Sequence, residues 1–228
     1  MTTPFKTNPR IAFLGTGAQG ASIAADFVVA GLDVTFIDQW PAHVEAMRAN
    51  GLTVNLPERV IHTPVNAIHL CEIAEVKQPF DIIFMVVKAY DTRWATEMIK
   101  PVLAKDGFVV GLQNGMTHED IAEIVGPERT IGAVIEIASN MWEPGITNRQ
   151  NDIDTSWFAM GAVDPAQQHR VDGIAALLRN SGTVEVVDDI HSAKWMKLIV
   201  NAAELIPSAI INSALRPAAE DKAFLEVM

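Results

Sequence analysis

Over the first half of the chain, short β-branched runs alternate with stretches of helical periodicity. Ile11 to Leu14 is wholly apolar, the pattern of a buried strand. Ala18 to Ala30 predicts a helix that stops at Gly31. Val34 to Ile37 predicts a second strand. Pro41 to Asn50 predicts a second helix, with proline at its start and Gly51 past its end. Leu52 to Leu56 and Val60 to Thr63 read as short strands, and Asp81 to Val87 as a strong central one. Tyr90 to Leu103 reads as a helix disturbed by Pro101, and Phe108 to Leu112 as a strand. His118 to Val125 reads as a short helix stopped by Gly126-Pro127. Repeated strand-then-helix order argues for an α/β fold, a parallel sheet covered on both faces.

From about Thr130 the pattern changes. Ile131 to Ala138, Ile146 to Asn148 and Trp157 to Met160 predict strands with no long helix between them, expected as antiparallel additions to the sheet. Gln167 to Leu178 is again helical, and Val184 to Val187 is a last strand. Beyond Asp189, His191 to Leu205 is one continuous helical pattern with Pro207 near its end. Ile210 to Leu225 is Ala-rich and also helical. These shifts divide the chain into a sheet domain over 1–188 and the N-terminal part of a helical domain over 189–228. Some 40 residues are few for an independent domain, and the chain reads as stopping inside it.

Composition narrows the function. Apolar residues make up 49% of the 228 and charged residues 20%, enough for a sizeable core, so dominant disorder is excluded. Seventeen basic against 28 acidic residues leave a charge of −11, without the broad positive field that nucleic acid or anionic membrane requires. A local basic pocket for one small anion stays allowed. Met1 to Arg10 has no apolar signal region, and Ile82 to Val87 is far too short to span a bilayer. Cys71 is the one cysteine, so no internal disulfide forms, which fits a cytoplasmic location. It reads as a small structural residue.

Gly15-Thr16-Gly17-Ala18-Gln19-Gly20 is G-x-G-x-x-G between a predicted strand and a predicted helix, the context of the dinucleotide fingerprint. Gly15 permits the tight turn, Gly17 lets backbone approach a pyrophosphate, and Gly20 lets helix and strand pack closely. Free N–H groups at the helix start favour phosphate. Asp38 stands 18 residues after Gly20 at the end of the second strand. There a carboxylate can accept both adenosine ribose hydroxyls and repel a 2′-phosphate, so NAD(H) is favoured. A solvated strand-end acid is the plainer reading. Lys88 keeps NADP(H) open.

Lys88 follows the central strand, at the end where open α/β sheets bind ligands; a snorkelling surface lysine would look the same. Asn114 in Gln113-Asn114-Gly115-Met116 follows the next strand and could contact a ligand or simply make a turn. Lys197 and Asn201, at i and i+4, share one helix face, with Lys194 and Glu204 near it. That face fits a cleft wall or the wet side of an amphipathic helix. There is no G-x-S-x-G, H-E-x-x-H or C-x-x-C, so no metal is expected. His62, His69 and Cys71 fit no zinc spacing. His43, His118, His169 and His191 read as isolated, with His191 a reserve acid/base nearest the helix.

In order, GTGAQG, VKAYDT, QNGM and KWMKLIVNAA resemble the ketopantoate reductase (2-dehydropantoate 2-reductase) family, from about residue 10 to the end of the chain. The resemblance implies a Rossmann-type doubly wound sheet followed by the start of an all-helical C-terminal domain, with the active cleft between. It implies cofactor contacts from Gly15 to Gly20, Lys88, Asn114 and the backbone of Ala138. It implies Lys197 as general acid, and Asn114 and Asn201 as substrate-binding residues. The reaction implied is nicotinamide-dependent reduction of a small 2-oxo acid, ketopantoate first. Three features depart from the family. Asp38-Gln39-Trp40 stands where an NADP-binding Arg is usual. Leu205 stands where many members have a second Asn, with Glu204 beside it. The C-terminal helices carrying a Ser and a Glu have no counterpart before Met228. With Glu136, Leu205 and Glu204 would suit another 2-oxo acid or a hydroxy-ketone. A non-catalytic dinucleotide-binding module is the reading of another class. Five tryptophans and a short helical part could leave an apolar patch for a partner, a homodimer being the simplest.

Overall fold

A computed structural model describes residues 8–212 and 222–226. The main sheet has eight strands: β1 (Ile11–Leu14), β2 (Val34–Asp38), β5 (Asn66–His69), β6 (Phe80–Met85), β7 (Leu103–Leu112), β8 (Thr130–Glu136), β11 (Trp157–Ala162) and β12 (Thr183–Val186). Their spatial order is β12-β11-β8-β7-β6-β1-β2-β5. All neighbours are parallel except β8 and β11, which run antiparallel. Strand order reverses between β1 and β6, so the C-terminal ends of these two strands flank the crevice where such sheets take ligands.

Alternate residues of each strand feed two cores. Ile11 and Phe13 of β1 face helix α1 (Ala18–Val29), where Phe13 stacks on Phe84 at 4.7 Å and Phe27 meets both edge-on. Ala12 and Leu14 face the opposite core, which includes residues of α3 (Thr92–Ile99) and α4 (Thr117–Val125). Helices α2 (Pro41–Asn50) and α5 (Val171–Leu178) contribute to the first core.

The region after Thr130 differs in part from expectation. β8 is parallel to β7, and only β11 joins the main sheet antiparallel. β10 (Ile146–Arg149) instead enters a second sheet, ordered β4 (Val60–Thr63), β3 (Leu52–Asn55), β10 and β9 (Ser139–Glu143). Its placement follows from Arg149. This fully buried guanidinium bonds Asp26 of α1 at 2.6 Å, the Ser156 hydroxyl at 2.7 Å and the Ser181 carbonyl at 2.6 Å. The second sheet therefore covers α1.

Helix α6 runs Ile190–Ile211, through Pro207 rather than ending near it. Asp189 caps it by accepting from the Ser192 N–H at 3.0 Å. Ile190 packs with Val134 and Ala159, seating the first turn on the sheet. A short helix, α7, follows at Lys222–Leu225. Most of the expected Ile210–Leu225 helix lies outside the described residues. Among the described residues no helix is long and apolar enough to cross a membrane.

Candidate functional site

The glycine turn lies at the strand-order reversal. Gly15 donates its N–H to the Ile37 carbonyl at 2.9 Å and adopts φ +88°. A Cβ there would come within 2.7 Å of the Val87 nitrogen. Gly20 is closed in a different way, since a Cβ would fall on the Gly15 carbonyl. Around Gly17 nothing lies within 4 Å of where a Cβ would be, leaving the backbone open to a ligand. Thr16 is fully buried; its hydroxyl donates to Asp38 at 3.3 Å and its carbonyl bonds His43 at 2.8 Å. Burial lowers the His43 pKa. Its Nδ1 accepts from the Gly145 N–H at 2.9 Å, so the neutral ring carries its proton toward Thr16. His43 thus pins the turn to the second sheet.

A cleft of about 190 Å³ opens beside this turn, lined by Gly15, Gly17, Asp38, Trp40 and Lys88 among others. Asp38 is buried rather than a solvated strand-end acid, and the Trp40 N–H donates to it at 2.9 Å. Lys88 is exposed at the rim. These residues fit an adenosine diphosphate moiety: an open glycine backbone, a helix start, and an acid preset by two hydrogen bonds.

A second cleft, about 410 Å³, is lined by Gln19, Asn114, Glu136, Ala138, Asn151, Lys197, Asn201, Glu204 and Leu205. Gln19 connects the two regions, donating to the Ile137 carbonyl at 2.8 Å. Ala18 accepts from the Thr147 hydroxyl at 3.0 Å. Lys197 donates to Glu136 at 3.0 Å, and Asn201 donates to Asn114 at 3.4 Å. Four sequence positions scattered from 114 to 201 thus meet as two hydrogen-bonded pairs. The Ala138 N–H is held by Asn151 at 2.7 Å. Spacing carried no signal for Asn151 or for the Glu136–Lys197 pairing, because the first depends on how the loop after β10 folds back on Ala138 and the second on how α6 packs against the end of β8.

Lys194 does not share the cleft face; it is 2% exposed and donates to the Gln113 and Ala133 carbonyls at 2.8 and 2.9 Å. Burial lowers its pKa to about 8. Cys71 is exposed, not packed. His118 and His191 are not isolated, their ring centroids lying 5.9 Å apart. With Glu119 they offer donor atoms within 4.8 Å of one another. His191 is committed, however: Nε2 accepts from Trp195 at 3.0 Å, and Nδ1 lies 3.3 Å from Glu119. It therefore staples α6 to α4 rather than lining the cleft. His118 is buried, and its pKa falls to about 4 through desolvation, then the nearby Lys194 charge.

A doubly wound sheet with a glycine turn at its reversal point defines a Rossmann-type α/β protein. The chain belongs to the ketopantoate reductase PanE/ApbA family, which it matches over residues 11–163. A 2-dehydropantoate 2-reductase of Mesorhizobium japonicum is 28% identical over 235 residues, covering 93% of this chain and 70% of the relative. The crystal structure of 2-dehydropantoate 2-reductase from Geobacter metallireducens GS-15 superposes with a TM-score of 0.84 at 27% identity, covering 96% of this chain and 73% of that one. D-mandelate dehydrogenase with NADH and anilino(oxo)acetate also superposes at 0.84, covering 94% and 68%; at 22% identity it shares the fold. The chain spans 61–70% of the length of the curated relatives it matches.

Proposed function

We propose that this protein reduces the ketone of a small 2-oxo acid with a nicotinamide cofactor, ketopantoate being the first choice. The observation that carries this reading is the meeting of Lys197, Asn114 and Asn201 in one cleft joined through Gln19 to the glycine turn. A nicotinamide bound there supplies the hydride. Lys197 stabilises the alkoxide forming on the ketone oxygen and donates the proton from Nζ. Asn114 and Asn201 orient the substrate, and Ala138 offers backbone to the cofactor once Asn151 moves aside. Gly15 to Gly20 and Lys88 hold the cofactor. Asp38 accepts the ribose hydroxyls and favours NADH over NADPH by charge repulsion. Residues 1–188 act as the dinucleotide-binding domain, in the cytoplasm. Residues 189–228 act as a helical part for substrate and dimerisation. Trp195, Met196, Ile199 and Ile210, all exposed on α6, suit such an apolar contact.

Leu205 and Glu204 at the cleft favour a second reading, the same reaction on another 2-oxo acid or a hydroxy-ketone. Fluorescence titration with NADH and separately NADPH tests the cofactor assignment, and a substrate panel tests the reaction. Tighter NADH binding with turnover of a 2-oxo acid is expected. Tighter NADPH binding overturns the Asp38 argument. Cofactor binding without turnover of any substrate leaves a non-catalytic dinucleotide-binding module.

A further inference from the structure

The second cleft has an unusual charge arrangement for a site that takes an acid. Among the described residues lining it, Lys197 is the only cation, while Glu136 and Glu204 are both acidic. Glu136 is the last residue of β8, and its carboxylate sits 3.0 Å from the Lys197 ammonium. The ion pair is half open to water, with Glu136 47% exposed and Lys197 18%. Pairs of this kind contribute little to stability. Its importance has to be sought in the chemistry.

A 2-oxo acid presents an ammonium group with two acceptors. Its carboxylate carries a full charge from the outset, whereas its ketone oxygen gains charge only as hydride arrives. An unrestrained Lys197 would bind the carboxylate, because charge-assisted bonds are the stronger ones. That interaction is equally strong before and during reaction, so it tightens binding without accelerating the step.

We propose that Glu136 is a positioning residue that reserves Lys197 for the ketone oxygen of a 2-oxo acid by denying Nζ to the substrate carboxylate. This rests on the reading of the cleft as a 2-oxo acid reductase site. Glu136 takes one of the three ammonium donors and fixes the direction of the others. Its own charge repels a second carboxylate from the same side and turns the substrate acid toward the Asn114–Asn201 pair. Stabilisation by Lys197 then appears where the alkoxide forms, and the proton passes from Nζ to that oxygen.

The test uses the full chain with NADH, the variant Glu136→Gln, and oxamate as a non-reducible mimic of a 2-oxo acid. Glutamine keeps the shape and a hydrogen bond but removes the charge. The variant is expected to bind oxamate and substrate more tightly, by about threefold to tenfold, while kcat falls about tenfold or more. Glu136→Asp, which restores the charge at shorter reach, should recover part of kcat. In a Lys197→Ala background the Gln substitution should add no further loss of kcat. Unchanged kcat and oxamate affinity, or weaker binding of oxamate, would overturn the proposal. The wild type separates the two failures. If it binds NADH but neither reduces any 2-oxo acid nor binds oxamate, the reductase reading itself is overturned and this assignment falls with it.

Discussion

Lys194 and Lys197 stand less than one turn apart on α6 and meet opposite environments. Lys197 reaches into the cleft, pairs with Glu136 and is the proposed proton donor. Replacing it with alanine should lower kcat by about 10²–10³, the usual cost of losing a donor to a developing oxyanion, and leave NADH affinity unchanged by titration. An unchanged kcat would show that another group supplies the proton. Lys194 is buried between two carbonyls, and burial lowers its pKa from 10.5 to about 8. The native state therefore releases this proton before the unfolded state does. Stability should rise as pH climbs from 8 towards 10.5, by up to about 3 kcal/mol. Chemical unfolding at pH 8 and 10 should show that gain in the wild type and much less of it in Lys194→Met. The i, i+3 spacing put both lysines near one face, and it could not report that the sheet end beneath offers Lys194 two bare carbonyls.

At the level of elements, the second sheet packs on α1 and is tied to it by a buried ion pair as well as by the Thr147–Ala18 hydrogen bond. Arg149 and Asp26 are nearly inaccessible, and desolvation raises the Asp26 pKa even against the neighbouring guanidinium. Removing one partner would strand the other. Arg149→Met should destabilise the fold by about 3–5 kcal/mol in urea unfolding, and Asp26→Leu added to it should recover much of that loss. A double variant no better than the single would place the cost in packing rather than in stranded charge. This pair also marks the limit of reading the chain by pattern. Most strands of the main sheet are runs of buried apolar residues and could be read directly. β9, Ser-Asn-Met-Trp-Glu, and β5, Asn-Ala-Ile-His, carry too few apolar positions to be recognised. β10 could be recognised as a strand but not assigned to a sheet, because its pairing with β3 and the contact of Arg149 with Asp26, 123 residues away, are both long-range.

Across the whole molecule, the glycine turn is legible because its chemistry is local, six residues between a strand and a helix. The second cleft is not local, and only the family resemblance singled out Asn114, Lys197 and Asn201 together. Its assembly depends on α6 lying against the ends of β7 and β8, and that seam carries an acid-sensitive group. His118 is buried between α4, β8 and α6; among the described residues its ring makes no hydrogen bond, and its pKa is lowered to about 4. A folded-state pKa below the unfolded value means that the native state resists protonation. The contribution is complete above about pH 6.5 and is lost as pH falls through 6.5 towards 4, worth about 3 kcal/mol by pH 4. His43 under the glycine turn is shifted in the same direction, so both ends of the site weaken together in acid. His118→Leu removes the titrating ring without removing a hydrogen bond. It should therefore cost little at pH 7 and flatten the acid limb of stability between pH 6.5 and 4, leaving the slope due to His43. Urea unfolding at pH 7, 6 and 5 measures both slopes. An acid limb equally steep in the variant would mean that protonation elsewhere, and not at the α4–α6 seam, unfolds the protein.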